Sequence, residues 1–261
     1  LWTDTPIEIS ANFDNSITLG TNFIDVEVVN NNGQGIENAL ITLLKGDDEI
    51  FSSTLTDNQG QATILLDYES IGEVYLTITK KNCIPIEESF QITQPDDNIN
   101  LSILDIQIMD QEDGVAIGNN DGNLNPGEIV YLTLPLINYG NIMANDVVGI
   151  LTSDSELINI VYGISQYEAI SSGSLGYNAS DYIIEVASDA LNGADLGLRL
   201  SLSSPSGSWE SIVPVELKGG LIIVDHINYL EDVSLNPGHI GELRIYLENQ
   251  GSIQLDNVSI E

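Results

Sequence analysis

Asn119, Asp121, Asn123, Asn125 and Glu128 share one short stretch, Gly118-Asn119-Asn120-Asp121-Gly122-Asn123-Leu124-Asn125-Pro126-Gly127-Glu128. Each carries a side-chain oxygen, and the interleaved glycines let the backbone turn tightly around a centre. A hard divalent cation such as calcium takes about six to eight oxygens, so residues of these types at this spacing have the chemistry of a cation loop. Asp110 or Asp113, in Asp110-Gln111-Glu112-Asp113-Gly114, is placed to fold back and add a carboxylate. One structural calcium ion per chain is the expectation at residues 110–128.

In an EF-hand loop, ligands stand at positions 1, 3, 5, 7, 9 and 12, with glycine at 6. With Asp121 at position 5, Asn119, Gly122, Asn123, Asn125 and Glu128 fall at 3, 6, 7, 9 and 12. Position 1 is then Ile117, which has no side-chain oxygen, and the flanks alternate like strands. The loop is therefore not an EF-hand, although its ligands are similarly spaced. The alternative is a turn that binds nothing, because Asn and Asp collect in turns for conformational reasons alone.

The stretch also exposes a repeat. Shifted by 111 positions, residues 121–149 match residues 232–260 without a gap at 12 of 29 positions. Asp121, Leu124, Asn125, Pro126, Gly127, Asn138 and Gly140 recur as Asp232, Leu235, Asn236, Pro237, Gly238, Asn249 and Gly251. So long a period means tandem domains, not a short-period solenoid. The second copy replaces Gly122 by Val233 and Glu128 by His239, which leaves Leu-Asn-Pro-Gly as a structural turn and predicts no metal there. It stops at Glu261, where the first copy runs on to about Leu217. The expectation is a fragment of a longer protein.

The elements that must carry these loops alternate with period two. Ile24, Val26 and Val28 alternate with Asp25 and Glu27; Val74, Leu76 and Ile78 alternate with Tyr75 and Thr77. Turn clusters such as Asn30-Asn31-Asn32-Gly33 and Asp57-Asn58-Gln59-Gly60 separate the runs. No helical periodicity of useful length occurs. The expected fold class is all-β, as tandem immunoglobulin-like β-sandwiches, the last one incomplete. Residues 1–94 form an immunoglobulin-like sandwich, residues 99–217 a second sandwich with the calcium loop, and residues 221–261 a partial copy of the second. Expected strands include 22–30, 38–45, 73–80, 100–109, 129–138 and 181–187, with about three strands in the last unit.

The formal charge is −34, from 40 acidic and 6 basic residues, which excludes nucleic acid and anionic membrane surfaces as partners. No run is long and apolar enough to insert into a bilayer. Cys83 is the single cysteine, so no internal disulfide forms, and it stands in Lys80-Lys81-Asn82-Cys83-Ile84-Pro85, a strand end and turn. His226 and His239 are far from it in sequence, and no nucleophile–base pair with an orienting third group is legible. The aromatic residues do not line up as a carbohydrate-binding strip, which disfavours that class of module.

Leu1-Trp2-Thr3-Asp4-Thr5-Pro6, followed by Ile36-Glu37-Asn38-Ala39-Leu40-Ile41-Thr42-Leu43, Thr56-Asp57-Asn58-Gln59-Gly60 and Tyr75-Leu76-Thr77-Ile78-Thr79-Lys80, resembles the immunoglobulin-like domain that follows the catalytic domain of gingipain-like cysteine peptidases. Asn138-Tyr139-Gly140 with Ala144 and Val147, and Asn249-Gln250-Gly251 with Val258, are similar to bacterial cell-adhesion-related (CARDB-like) domains. The resemblance implies a non-catalytic, extracellular or cell-surface accessory region, with an upstream peptidase domain or neighbouring surface domains as partners. It places no catalytic residue on this chain. The alternative is an adhesive or structural cell-surface protein, of fibre or S-layer type, with no peptidase attached.

Overall fold

The computed structural model describes residues 6–46, 49–96, 98–229, 243–255 and 258. Among them the ordered elements are all strands, as the alternation requires. The first unit contains β1 (Ile9–Phe13), β2 (Ser16–Thr18), β3 (Phe23–Asn30), β4 (Leu40–Lys45), β5 (Ile50–Leu55), β6 (Gln61–Leu65), β7 (Gly72–Thr79) and β8 (Ile86–Thr93). They form a three-stranded sheet, β1-β3-β6, and a five-stranded sheet, β2-β8-β7-β4-β5. Ile24, Val26 and Val28 from one sheet meet Ile41, Leu43, Val74, Leu76, Ile78 and Phe90 from the other in a single core. The turn clusters work as Asx-turns: Asp57 Oδ1 accepts from Gln59 N at 2.8 Å and Gln61 N at 2.9 Å.

The second unit contains β9 (Leu101–Ile103), β10 (Gln107–Met109), β11 (Ile129–Thr133), β12 (Leu136–Asn138), β13 (Val147–Ser153), β14 (Ile158–Tyr162), β15 (Ile164–Tyr167), β16 (Leu175–Gly176), β17 (Tyr182–Val186), β18 (Leu198–Ser204) and β19 (Gly207–Ile212). Its sheets are β10-β11-β17-β14, β16-β12-β9 and β15-β13-β18-β19. Two expected strands are each divided. The run 100–109 breaks at Leu104, Asp105 and Ile106, where Asp105 has φ 58°. The run 129–138 breaks at Leu134-Pro135, because proline offers no N–H to continue a ladder. The two halves then pair with different partners, β17 and β16. Leu134 N is satisfied instead by Asn178 Oδ1 at 2.8 Å. Tyr167 donates its buried hydroxyl to Leu134 O at 3.0 Å and lies 3.2 Å from the hydroxyl of Tyr182, whose pKa burial pushes up to about 12.

In the third unit β20 (Ile222–Tyr229) pairs antiparallel with β21 (Leu243–Asn249). These are two strands among the described residues, against an expected three. The second loop copy, Asp232 to His239, lies outside the described residues.

The first two units are joined by direct contacts. Asn22 donates from Nδ2 to Ile212 O at 2.7 Å and accepts at Oδ1 from Ile212 N at 3.1 Å, so its amide pairs with the edge of β19 as a strand would. Asn100 donates from Nδ2 to Leu19 O at 2.5 Å, while within the second unit Trp209 anchors the entering chain by donating its indole N–H to Ile99 O at 3.2 Å. The Arg199 guanidinium lies over the Phe23 ring at 5.2 Å.

Candidate functional site

The loop 118–128 enters β11 and is closed by its own acidic side chains. Asp110, 2% exposed, supplies the fold-back carboxylate. Its Oδ2 accepts from Asp121 N at 2.9 Å and its Oδ1 from Gly122 N at 3.2 Å. Gly118 makes the approach possible, since a Cβ there would stand 2.2 Å from Asp110 O. Asp113 does not join: it is exposed, and its main-chain carbonyl accepts from the Tyr131 hydroxyl at 3.2 Å.

Glu128, 7% exposed, spans the loop, with Oε1 accepting from Asn119 N at 3.1 Å and Oε2 from Asn125 N at 3.0 Å. Asn119 Nδ2 points inward to Asn125 Oδ1 at 2.9 Å and Asp121 Oδ2 at 3.1 Å. Asn123 N donates to Asp121 Oδ1 at 2.8 Å. Asn120 and Gly122, with φ of 60° and 73°, take the left-handed backbone that the tight path demands.

Burial raises the Glu128 carboxyl above its ordinary range, and the charges of Asp110 and Asp121 add to the rise; the N–H groups of Asn125 and Asn119 oppose it. At Asp121 burial also acts upward, but the hydrogen bonds from Asn123 and Asn119 and the Lys218 charge outweigh it, and the net shift is downward.

Six of the seven expected ligands, Asp110, Asn119, Asp121, Asn123, Asn125 and Glu128, therefore come together. Their arrangement is a hydrogen-bonded brace. Both oxygens of Asp110 and both of Glu128 face main-chain N–H groups. Asp121 Oδ2 and Asn125 Oδ1 both accept from the Asn119 amide. Among the described residues, no three of His, Cys, Asp and Glu gather closely enough to hold a metal ion.

The brace also reaches outside the loop. Leu124, fully buried, bridges to Leu217, and Asn125 Nδ2 donates to Lys218 O at 2.7 Å while Lys218 N donates to Leu124 O at 2.8 Å. The loop thus holds the chain that leaves the second unit. Leu217 and Lys218 carried no sequence signal for this role, because they contribute it through main-chain atoms. Cys83 is buried in the first unit, in the turn after β7, whereas His226 lies in the third, stacked on Tyr246 at 4.0 Å.

No protein-family model matches the chain, and no curated protein matches it. Among solved structures, trypsin-activated α-2-macroglobulin from Escherichia coli aligns over 87% of this chain at 9% identity and a TM-score of 0.35. The BSP domain of a biofilm-associated protein aligns over 78% at 9% identity and a TM-score of 0.29, and the D0–D1 domain of intimin over 81% at 14% identity and a TM-score of 0.24. The chain spans 19% of that α-2-macroglobulin, 28% of the biofilm-protein chain and 98% of the intimin chain. With TM-scores below 0.5, nothing about function transfers from them.

Proposed function

We propose that this chain is a non-catalytic, extracellular or cell-surface array of β-sandwiches, working as a stiff spacer that holds neighbouring domains at a set distance. The observation that supports this reading is the first joint, where the Asn22 amide reads both main-chain groups of Ile212 and Asn100 reaches back to Leu19. Neighbouring domains in one chain move relative to each other by default, so specific bonds across a joint mark a held geometry. The resemblance of the first unit, residues 1–94, gives the spacer its setting, as the accessory region behind a gingipain-like cysteine peptidase domain. An adhesive or fibre-type surface protein remains the alternative, and intact-mass analysis of the native protein, with sequencing of any further domain, separates the two. The chain by itself should show no turnover of Arg- or Lys-containing peptides. Turnover that disappears on Cys83→Ala would overturn the non-catalytic reading.

A structural calcium ion at residues 110–128 is the second reading. It is favoured by the meeting of the Asp110, Asp121 and Glu128 carboxylates on one loop, two of them buried, whose like charges a cation would relieve. To bind, the ion would have to turn the Asn119 amide away from Asp121 and Asn125. At ~100-fold excess over its dissociation constant it would stabilise the second unit by about 2.7 kcal/mol, a gain that Glu128→Gln should abolish and His239→Ala should not. The check is calorimetric melting of the full chain in calcium and in chelator. An unchanged melting temperature leaves the loop as a brace without metal.

A further inference from the structure

The third unit repeats more of the second than its sequence reveals. Ile222 pairs with Asn249, Val224 with Leu247, Asn228 with Arg244 and Tyr229 with Leu243. Leu101 pairs with Asn138, Ile103 with Leu136, Gln107 with Thr133 and Ile108 with Leu132. Residues 98–108 therefore correspond to 219–229, at an offset of 121, although only Ile106 and Ile227 are identical. The following strand keeps the offset of 111. The difference of ten is residues 111–120, which carry Asp113 and Asn119 and have no counterpart between Glu231 and Asp232.

This correspondence shows what Asn-x-Gly does. Asn138 Oδ1 accepts from Asn100 N at 3.3 Å and Gly140 N at 3.0 Å, and its Nδ2 donates to Ile142 O at 2.7 Å. Asn249 Oδ1 accepts from Leu221 N at 3.3 Å and Gly251 N at 3.0 Å, and its Nδ2 donates to Ile253 O at 2.7 Å. The next residues repeat the pattern: Tyr139 N and Gln250 N donate to Asn100 O and Leu221 O, at 2.8 and 2.7 Å. Asn141 N and Ser252 N donate to Asn98 O and Gly219 O, at 3.1 and 3.0 Å. In both copies the bonds close on the chain arriving from the preceding unit.

We propose that Asn138 and Asn249 are joint clasps, which grip the main chain as it enters each unit and so fix how one sandwich follows the last. The preceding unit supplies the other half of each joint. At the first, Asn100 is gripped through its main chain by Asn138 and holds Leu19 O through its own amide. At the second, Asn192 Oδ1 accepts from Gly219 N at 2.9 Å and from the Ser252 hydroxyl, and Asn125 holds Lys218 O. Lys218-Gly219-Gly220 has the composition of a flexible linker, yet these bonds make it a held one. The clasp deepens the spacer reading and rests on it only for its purpose.

The test is pulsed electron-spin distance measurement on the full chain, with Cys83→Ala and spin labels at Ser172 and Arg244. A narrow distribution is expected, and Asn249→Ala should at least double its width. A second label pair, at Gln59 and Ser172, should be unaffected by that variant. If Asn249→Ala instead unfolds the third unit, seen as lost amide protection in residues 243–249, Asn192→Ala decides, since it loosens the joint from the second unit's side. A starting distribution as broad as a free linker's overturns the clasp, as does an unchanged width in Asn249→Ala with the third unit folded, or in Asn192→Ala. Peptide turnover by the chain would sink the spacer reading and leave this result standing.

Discussion

Gly140→Ala is expected to destabilise the second unit by about 3 kcal/mol, at the upper end for an overpacked site. A Cβ at this position would stand 2.2 Å from Asn98 O, 2.8 Å from Asn100 N and 2.9 Å from Ile99 Cα. All three are backbone atoms, and the segment 98–100 that bears them is held by Tyr139 N and Asn141 N, so it has nowhere to move. Gly251→Ala should be as severe for the third unit, with Gly219 O and Leu221 N both 2.4 Å from the added carbon. Gly193→Ala is the control. Its φ of +73° strains an alanine, but no atom lies within 4 Å, so its cost should be about 1 kcal/mol. Urea denaturation of the three variants measures the difference. A smaller loss for Gly140→Ala than for Gly193→Ala would contradict the close approach.

The other large effect is expected at Lys45. Its side chain is only 6% exposed, and its ammonium is paired with Glu49 and donates to Ser70 Oγ at 2.6 Å. Glu49 also accepts from Ser70 N at 2.9 Å and Glu69 N at 3.2 Å. The bond from Lys45, then those from Ser70, hold the Glu49 carboxyl down to about 2. Glu49→Gln leaves a buried cation without its counter-charge, and about 2 kcal/mol should be lost near pH 7, below the figure for a fully buried pair because Glu49 is partly solvated. A carboxyl whose folded pKa is depressed contributes stability above its unfolded value and loses it as pH falls through the folded one. The gap between wild type and variant should therefore close between about pH 4.5 and pH 2. Denaturant unfolding at pH 7 and pH 3 tests this; an equal gap at both would mean that the loss does not come from the charge of Glu49.

Period-two alternation determined the fold class and most strands, because burying one face of a sheet forces apolar residues to every second position. β3, β4 and β7 follow their expected runs to within two residues. β2 and β16 went unseen, being three and two residues long and defined by partners far along the chain, as in the parallel pairing of Ser16–Thr18 with Gln91–Thr93. The types and spacing of Asn119, Asp121, Asn123, Asn125 and Glu128 were legible as an oxygen-rich loop around one centre. That the same oxygens accept from the loop's own N–H groups is a matter of backbone path, which only the tertiary structure shows. It also chose Asp110 over Asp113, through the space left by Gly118. The repeat of Asn-x-Gly was visible as letters, but its grip on residues 100 and 221 was not. The groups gripped are main-chain N–H and C=O, which nearly every residue supplies, so the arriving strands were free to diverge until a single identity remained in the eleven positions from 98 to 108.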